Sequence, residues 1–544
     1  MKKHVLFLLF ILLSLVLISC ASQDTEKDTG KDKEKASRGL EMTLSEDSTY
    51  YEVSGIGDCE DSNIVIPSRY YGIPVKKIGD MAFSGCDIES IVLPNTVTII
   101  GNHAFRNCAI ESITLPDTLT TIGEHAFYLC HKLKEINIPN SVTHIGAQAF
   151  EECTSLTSVT IPSSVTSIGA QAFYHCNKLN SAELFCVKAD IGENLFGHCY
   201  ELLKVKFADG FTHIPTLTFE YCTKLADVYL PNSLIGIDKY AFAYCEALES
   251  ITIPKSVTTI EDCAFSNCKG LKSITLPDSA TELGTHIFLE CSALQSVTLG
   301  SSLSYISSGL FSYCTSLTSV NIPNSVTRID GEAFHFCTSL PTLDIPDSVQ
   351  SIGVGAFSEC TALQSIVIPS SVTVIERNMF YSCASLTEIT IPVSAKKIDE
   401  LAFYSCDGLS TVYYEGDVAD WMNVSIHESY PHPLHVAEKL YIHDTLVTEV
   451  NVPDGFDIIG DYVFDGYKWL ESVTIPDSVT SIGDSAFSGC SGLESINVSA
   501  GNIVYDSREN CNAIIETDSN KLIFGCQSSF IPDSVSSIGN SAFS

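Results

Sequence analysis

Thiols are the first side chains in this sequence that could do chemistry. The 544 residues include 22 cysteines, and sixteen of them fall at one recurring place: Cys86, Cys108, Cys130 and onward to Cys406, then Cys490. A zinc site needs thiolates that converge, and no C-x-x-C pair exists to begin one. A disulfide needs side chains aimed at each other. Equivalent residues of stacked repeats would lie about 5 Å apart, but their side chains point the same way. The unbroken run from Cys86 to Cys406 holds fifteen thiols, an odd number, and Tyr467 stands where the next is due. Buried, small, apolar thiols are therefore expected. Cys511 and Cys526 differ: they flank Asn512–Ile515 and Leu522–Phe524, which read as an inserted hairpin, and a disulfide there stays open.

The second candidate chemistry is metal binding at His427, His432 and His435, three histidines within nine residues. Pro431 and Pro433 interrupt any regular spacing and no Asp or Cys completes a ligand set, so a solvated loop is expected there. No H-E-x-x-H, G-x-S-x-G or phosphate loop occurs. Neither a catalytic residue, a metal nor a cofactor is expected, and the chain reads as a non-enzyme.

What positions these residues is a repeat. Phe recurs at 83, 105, 127 and 150, then every 23 residues from 173 to 403, and again at Phe464, Phe487 and Phe543. The consensus is L-x-S-I-T-I-P-x-S-V-T-x-I-G-x-x-A-F-x-x-C. In one unit, Leu133, Ile136 and Ile138 alternate inward on a short strand that Pro139 stops by removing a ladder donor. Ser141–Ile145 is a second extended stretch, and Gly146 is expected to permit a tight turn. Ala149, Phe150 and Cys153 then suit about one helical turn that aims Phe and Cys inward. A lone unit buries too little to fold, so neighbours must share a core in a solenoid.

The strand core L-x-x-I-x-I-P together with I-G-x-x-A-F-x-x-C resembles the BspA-like class of bacterial leucine-rich repeats, over roughly residues 50–544. Gly55-Ile56-Gly57-Asp58-Cys59 and Ile64-Val65-Ile66-Pro67 look like that family's amino-terminal unit. The resemblance implies a leucine-rich-repeat superhelix of 22–23-residue units with one short parallel strand per repeat on its concave face. It also implies a secreted or surface-anchored bacterial protein, some members of the family being adhesins.

The flanks support display outside the cell. Met1-Lys2-Lys3-His4 precedes an apolar run from Val5 to Ile18, too short to span a membrane and typical of a secretory leader. Leu17-Ile18-Ser19-Cys20 resembles a bacterial lipobox, which implies cleavage before Cys20 and a lipid on its thiol. An ordinary leader ending at Cys20 is the alternative. The expected organisation is a leader over 1–19, a polar tether over 20–49 and an amino-terminal unit over 50–82. Repeats over 83–414 and 441–500 surround an insertion at 415–440, and a hairpin-like insertion at 501–529 precedes a final repeat at 530–544 that stops before its Cys.

Specificity is expected where repeats depart from consensus. The outward residue of I-x-I is mostly Thr or Asn, but Glu183, Lys206 and Tyr229 break the ladder on three consecutive rungs. Leu203, Lys204 and Asp227 join them, with Ala208-Asp209-Gly210-Phe211 in place of Pro-x-Ser-Val. A charged, aromatic patch on a neutral face is a candidate recognition site; drift without selection is the competing reading. Trp421, on a short helix expected over Asp417–Val424, is a second contact candidate. The net charge of −36 repels phosphate backbones and argues against nucleic acid. The function expected is binding to a protein or glycan of another cell or matrix, with membrane contact only through the lipid. A targeting arm for a downstream catalytic domain and a structural coat are the alternatives.

Overall fold

The computed structural model describes residues 36–427, 433–539 and 542–543, so the leader, Cys20 and most of the tether lie outside the described residues, as does His432. Each repeat forms one rung with three sides. In the rung that starts at the strand Ser158–Ile161, Val159 and Ile161 are buried while Ser158 and Thr160 face out. Pro162 ends that strand, Val165 N–H donates back to its carbonyl (3.2 Å), and a second strand, Ser167–Ile168, follows. Both strands pair in parallel and in register with their equivalents one rung on, Thr160 opposite Glu183 and Ser167 opposite Asp190. The repeat therefore carries two parallel strands on two sides, not one.

The third side differs from expectation too. No helical turn forms at the A-F-x-x-C motif. Gln171 and His175 adopt left-handed φ of 59° and 55°, and the chain runs through consecutive tight turns. The N–H groups of Gln171, Phe173 and His175 donate to Glu193, Leu195 and Gly197 of the next rung at 2.9–3.0 Å. Spacing is the reason: the Phe column from Phe83 to Phe403 stacks at 5.0–6.0 Å between ring centroids, whereas a helix is about 10 Å wide. Flat turns fit that spacing, and they direct alternate N–H groups to the neighbouring rung.

The recurring glycine of the unit also works otherwise than expected. Gly169 is not among the residues with positive φ. A β-carbon there would lie 2.2 Å from Ala147 N and 2.5 Å from Ala147 Cα of the preceding rung. Close packing between rungs, not turn conformation, requires glycine at this place.

Order starts earlier than the expected tether boundary at residue 49. The strand Glu41–Leu44 pairs antiparallel with Tyr51–Gly55, and Leu40 and Met42 pack on the first rung. This hairpin covers the amino-terminal end of the core. The insertion at 415–440 extends one rung instead of breaking the array. Ser425–Ile426 still pairs with Lys397–Ile398, and Lys439–Ile442 still pairs with Thr411–Tyr414. Near the carboxyl end, Ala513–Glu516 and Lys521–Gly525 form the expected antiparallel hairpin. Its flanking Cys511 and Cys526 are free thiols.

Candidate binding site

The cysteine series forms a column inside the array. From Cys108 to Cys406 the thiols of the column are buried, and each Sγ donates to the carbonyl of the Phe one rung earlier, as Cys108 does to Phe83 (2.9 Å), Cys337 to Phe311 (3.2 Å) and Cys406 to Phe380 (3.0 Å). Burial pushes the thiols of Cys130, Cys268, Cys360 and Cys406 up to about 12. Such groups are neither nucleophiles nor ligands at neutral pH. Cys86 begins the column on the first rung and is half-exposed. At Tyr467 the phenol replaces the thiol: its O–H donates to Val447 O (2.5 Å) and its oxygen accepts from Leu440 N–H (3.4 Å).

The expected patch comes together on the face of the longer strands. Parallel register sets Thr160, Glu183, Lys206 and Tyr229 in one row, with Ser181, Lys204 and Asp227 in the next. Tyr229 is 63% exposed and Leu203 41%. Elsewhere, Lys and Glu one rung apart close ion pairs: Lys134–Glu111, Lys224–Glu201, Lys269–Glu246 and Lys272–Glu249 at 2.6–2.9 Å. Among the described residues, Glu183, Lys204, Lys206 and Asp227 close none, although register puts opposite charges side by side. Their charged ends stay directed at solvent around a shallow cavity of about 210 Å³ lined by Ser181, Glu183, Lys204, Lys206 and Tyr229.

Two sequence candidates belong elsewhere. Phe211 is buried against Phe207, ring centroids 5.1 Å apart, so the irregular Ala208–Phe211 segment ends in a core substitution. Trp421 lies on the expected helix, Val418–Met422, which Asp417 starts with a capping box. Its ring is fully buried, and its Nε1–H donates to Val463 O (2.8 Å). It pins the extended rung to the next one and is not available to a partner. Of the two described histidines, His435 is half-buried, 3.7 Å from Asp465 Oδ2, which replaces a solvated position with a packed one.

One feature went unnoticed in the sequence. The residue two after Phe is aromatic on four consecutive rungs, where His175, His198, Tyr221 and Tyr244 stack at 4.2–4.7 Å. Burial and the charge of His175 hold the His198 imidazole below its ordinary range. Aligning this position across repeats would have shown the column, and it marks the same rungs as the patch.

Rungs of short parallel strands stacked on a phenylalanine column define a leucine-rich-repeat solenoid. The chain belongs to the BspA-type leucine-rich repeat proteins: that family model matches six overlapping stretches, residues 76–203, 145–268, 189–317, 235–350, 304–429 and 436–544. Among solved structures, a leucine-rich repeat protein from Bacteroides ovatus is 28% identical, and the match covers 76% of this chain and 99% of that one at a TM-score of 0.58. A leucine rich cell surface protein from Faecalibacterium prausnitzii is 26% identical, covering 74% and 100% of the two chains at a TM-score of 0.33. The pneumococcal vaccine antigen PcpA is 16% identical, covering 73% and 98% at a TM-score of 0.36. No curated protein matches the chain.

Proposed function

We propose that this chain is a lipid-anchored surface protein that binds another cell or its matrix through the strand face of its solenoid, without catalysis. The observation that carries this reading is the unpaired, exposed group of Glu183, Lys204, Lys206, Asp227 and Tyr229 on a face whose outward I-x-I residues are elsewhere mostly Thr or Asn. Unpaired charge and an exposed aromatic ring contribute little to a solenoid that stacks as well with Thr in those places. The long array supplies reach, and Cys20 supplies the attachment.

The test for binding displays the full chain on cells and measures adhesion to matrix-coated and cell-coated surfaces. Glu183→Thr/Lys206→Thr/Tyr229→Thr restores the residue of neighbouring rungs and leaves the core untouched. The adherent fraction is expected to fall at least tenfold in the triple variant. Wild-type cells that adhere to no surface overturn the binding function, whereas unchanged adhesion in the variant overturns the site. For the anchor, Cys20→Ser is expected to move the protein from the membrane fraction to the medium and to end labelling by fatty acid. Retained label contradicts the anchor.

A further inference from the structure

The strand face offers a partner an unusual surface. On the neighbouring rungs the outward residues of the strand positions equivalent to Ser181 and Glu183 are hydroxyls: Ser158 and Thr160 on the rung before, Ser250, Thr252, Ser273 and Thr275 on the rungs after. Tyr229, Leu203 and Phe185 are the main exposed apolar groups around the cavity, few for the apolar centre that a protein–protein interface of standard size needs. The strands Ser158–Ile161, Ser181–Leu184, Lys204–Phe207 and Asp227–Tyr229 lie side by side in one sheet, so their backbones are already paired and side chains must do the reading. A cavity of about 210 Å³ lies below the range of pockets for drug-sized ligands. It is the size of one sugar ring.

Resting on the reading of this face as the binding surface, we propose that the cavity is a subsite for a single acidic pyranose residue of a glycan. Lys204 and Lys206 project from the same face of one strand, two residues and so roughly 7 Å apart. Their flexible ammonium groups can converge on one carboxylate. The exposed ring of Tyr229 supplies an apolar face for the C–H side of the sugar, while Glu183 and Ser181 accept from and donate to its hydroxyls. The charge balance refines the ligand further. The chain carries −36 overall, so a polyanion extending beyond a Debye length of about 8 Å meets a repelling surface. One terminal acid group in contact with both lysines faces only Glu183 and Asp227 on the neighbouring strands, and so meets far less of that repulsion. The site selects an isolated acidic sugar over a polyanionic chain.

Saturation-transfer NMR and calorimetry on the purified full chain test this, with sialyl-lactose, galacturonic acid, lactose, heparin and a glutamate-rich peptide as probes. Sialyl-lactose or galacturonic acid is expected to bind at least tenfold more tightly than lactose, and heparin no better than lactose. Lys206→Thr and Tyr229→Thr, both reversions to neighbouring rungs, are each expected to weaken acid-sugar binding at least tenfold. Equal binding of lactose, binding unaffected by both variants, or preference for heparin overturns the proposal. So does binding of the peptide without any acidic sugar, which assigns the site to polypeptide instead. If no sugar binds while the triple variant still loses adhesion, the acidic-sugar subsite fails and the binding face stands.

Discussion

Replacing Phe265 with alanine is expected to split the unfolding of this protein into two transitions. The Phe265 ring is fully buried and stacked between Phe242 (5.2 Å) and Phe288 (6.0 Å), near the middle of the column. Its backbone also links rungs: its N–H donates to Ile287 O (3.0 Å) and its carbonyl accepts the Cys291 thiol (3.2 Å). Removing a buried phenylalanine side chain costs about 3–5 kcal/mol, because the surroundings close the cavity only in part. In a globular core that loss lowers the stability of the whole domain. In a solenoid each rung touches only its neighbours, so cooperativity depends on each rung–rung interface in turn. A deficit of this size at one interface uncouples the rungs on its two sides. Urea unfolding followed by circular dichroism should show one transition for the wild type and two for Phe265→Ala, with Phe265→Leu in between. A single, merely shifted transition in the alanine variant means that coupling extends beyond nearest neighbours.

The repeat and its stacking were legible because they rest on residue types at fixed spacing. Leu, Ile, Phe and Cys recur in register, and only a stack of rungs buries them all. The conformation within the rung was less legible. Ala149–Cys153 has helical spacing, but helix or turn is decided by whether N–H groups bond within the unit or to the next rung, which no single unit reveals. Gly169 shows the same limit, since the Ala147 backbone it must clear is 22 residues away. At the candidate site, Glu183, Lys206 and Tyr229 were legible as departures from a ladder. That they stay unpaired was not, because identical residue types at the same separation do pair at Lys272 and Glu249. Trp421 misled for a related reason: an aromatic residue in an insertion looks available until the next rung is seen to cover it.

The buried thiols of the column, from Cys108 to Cys406, should resist alkylation and make the folded array sensitive to alkali. At pH 8, a thiol with its ordinary value of 9.0 is about one-tenth thiolate, whereas Cys130, pushed up to about 12 by burial, is ionised about a thousandfold less. Iodoacetamide applied to the native chain is therefore expected to label the half-exposed Cys59, Cys86 and Cys263 and to spare the column from Cys108 to Cys406. Mass spectrometry of the digested protein reads this residue by residue. Column labelling at the rate of Cys59 would mean that rungs open far more often than their packing implies. The same shift fixes the pH dependence. A thiol whose folded value lies above its unfolded one adds stability that is fully present below pH 9.0 and is lost as pH rises toward the folded value, because the unfolded chain ionises first. Each thiol shifted as Cys130, Cys268, Cys360 and Cys406 are then lowers stability by about 1.4 kcal/mol per pH unit above 9.0, and these rungs act together. The urea midpoint should stay flat from pH 7 to 8.5 and fall steeply above 9. Replacing several column cysteines with alanine should lower the midpoint at pH 7, through lost S–H donors and packing, yet flatten its fall in alkali. A variant whose midpoint falls as steeply as wild type would place the alkaline sensitivity outside the column.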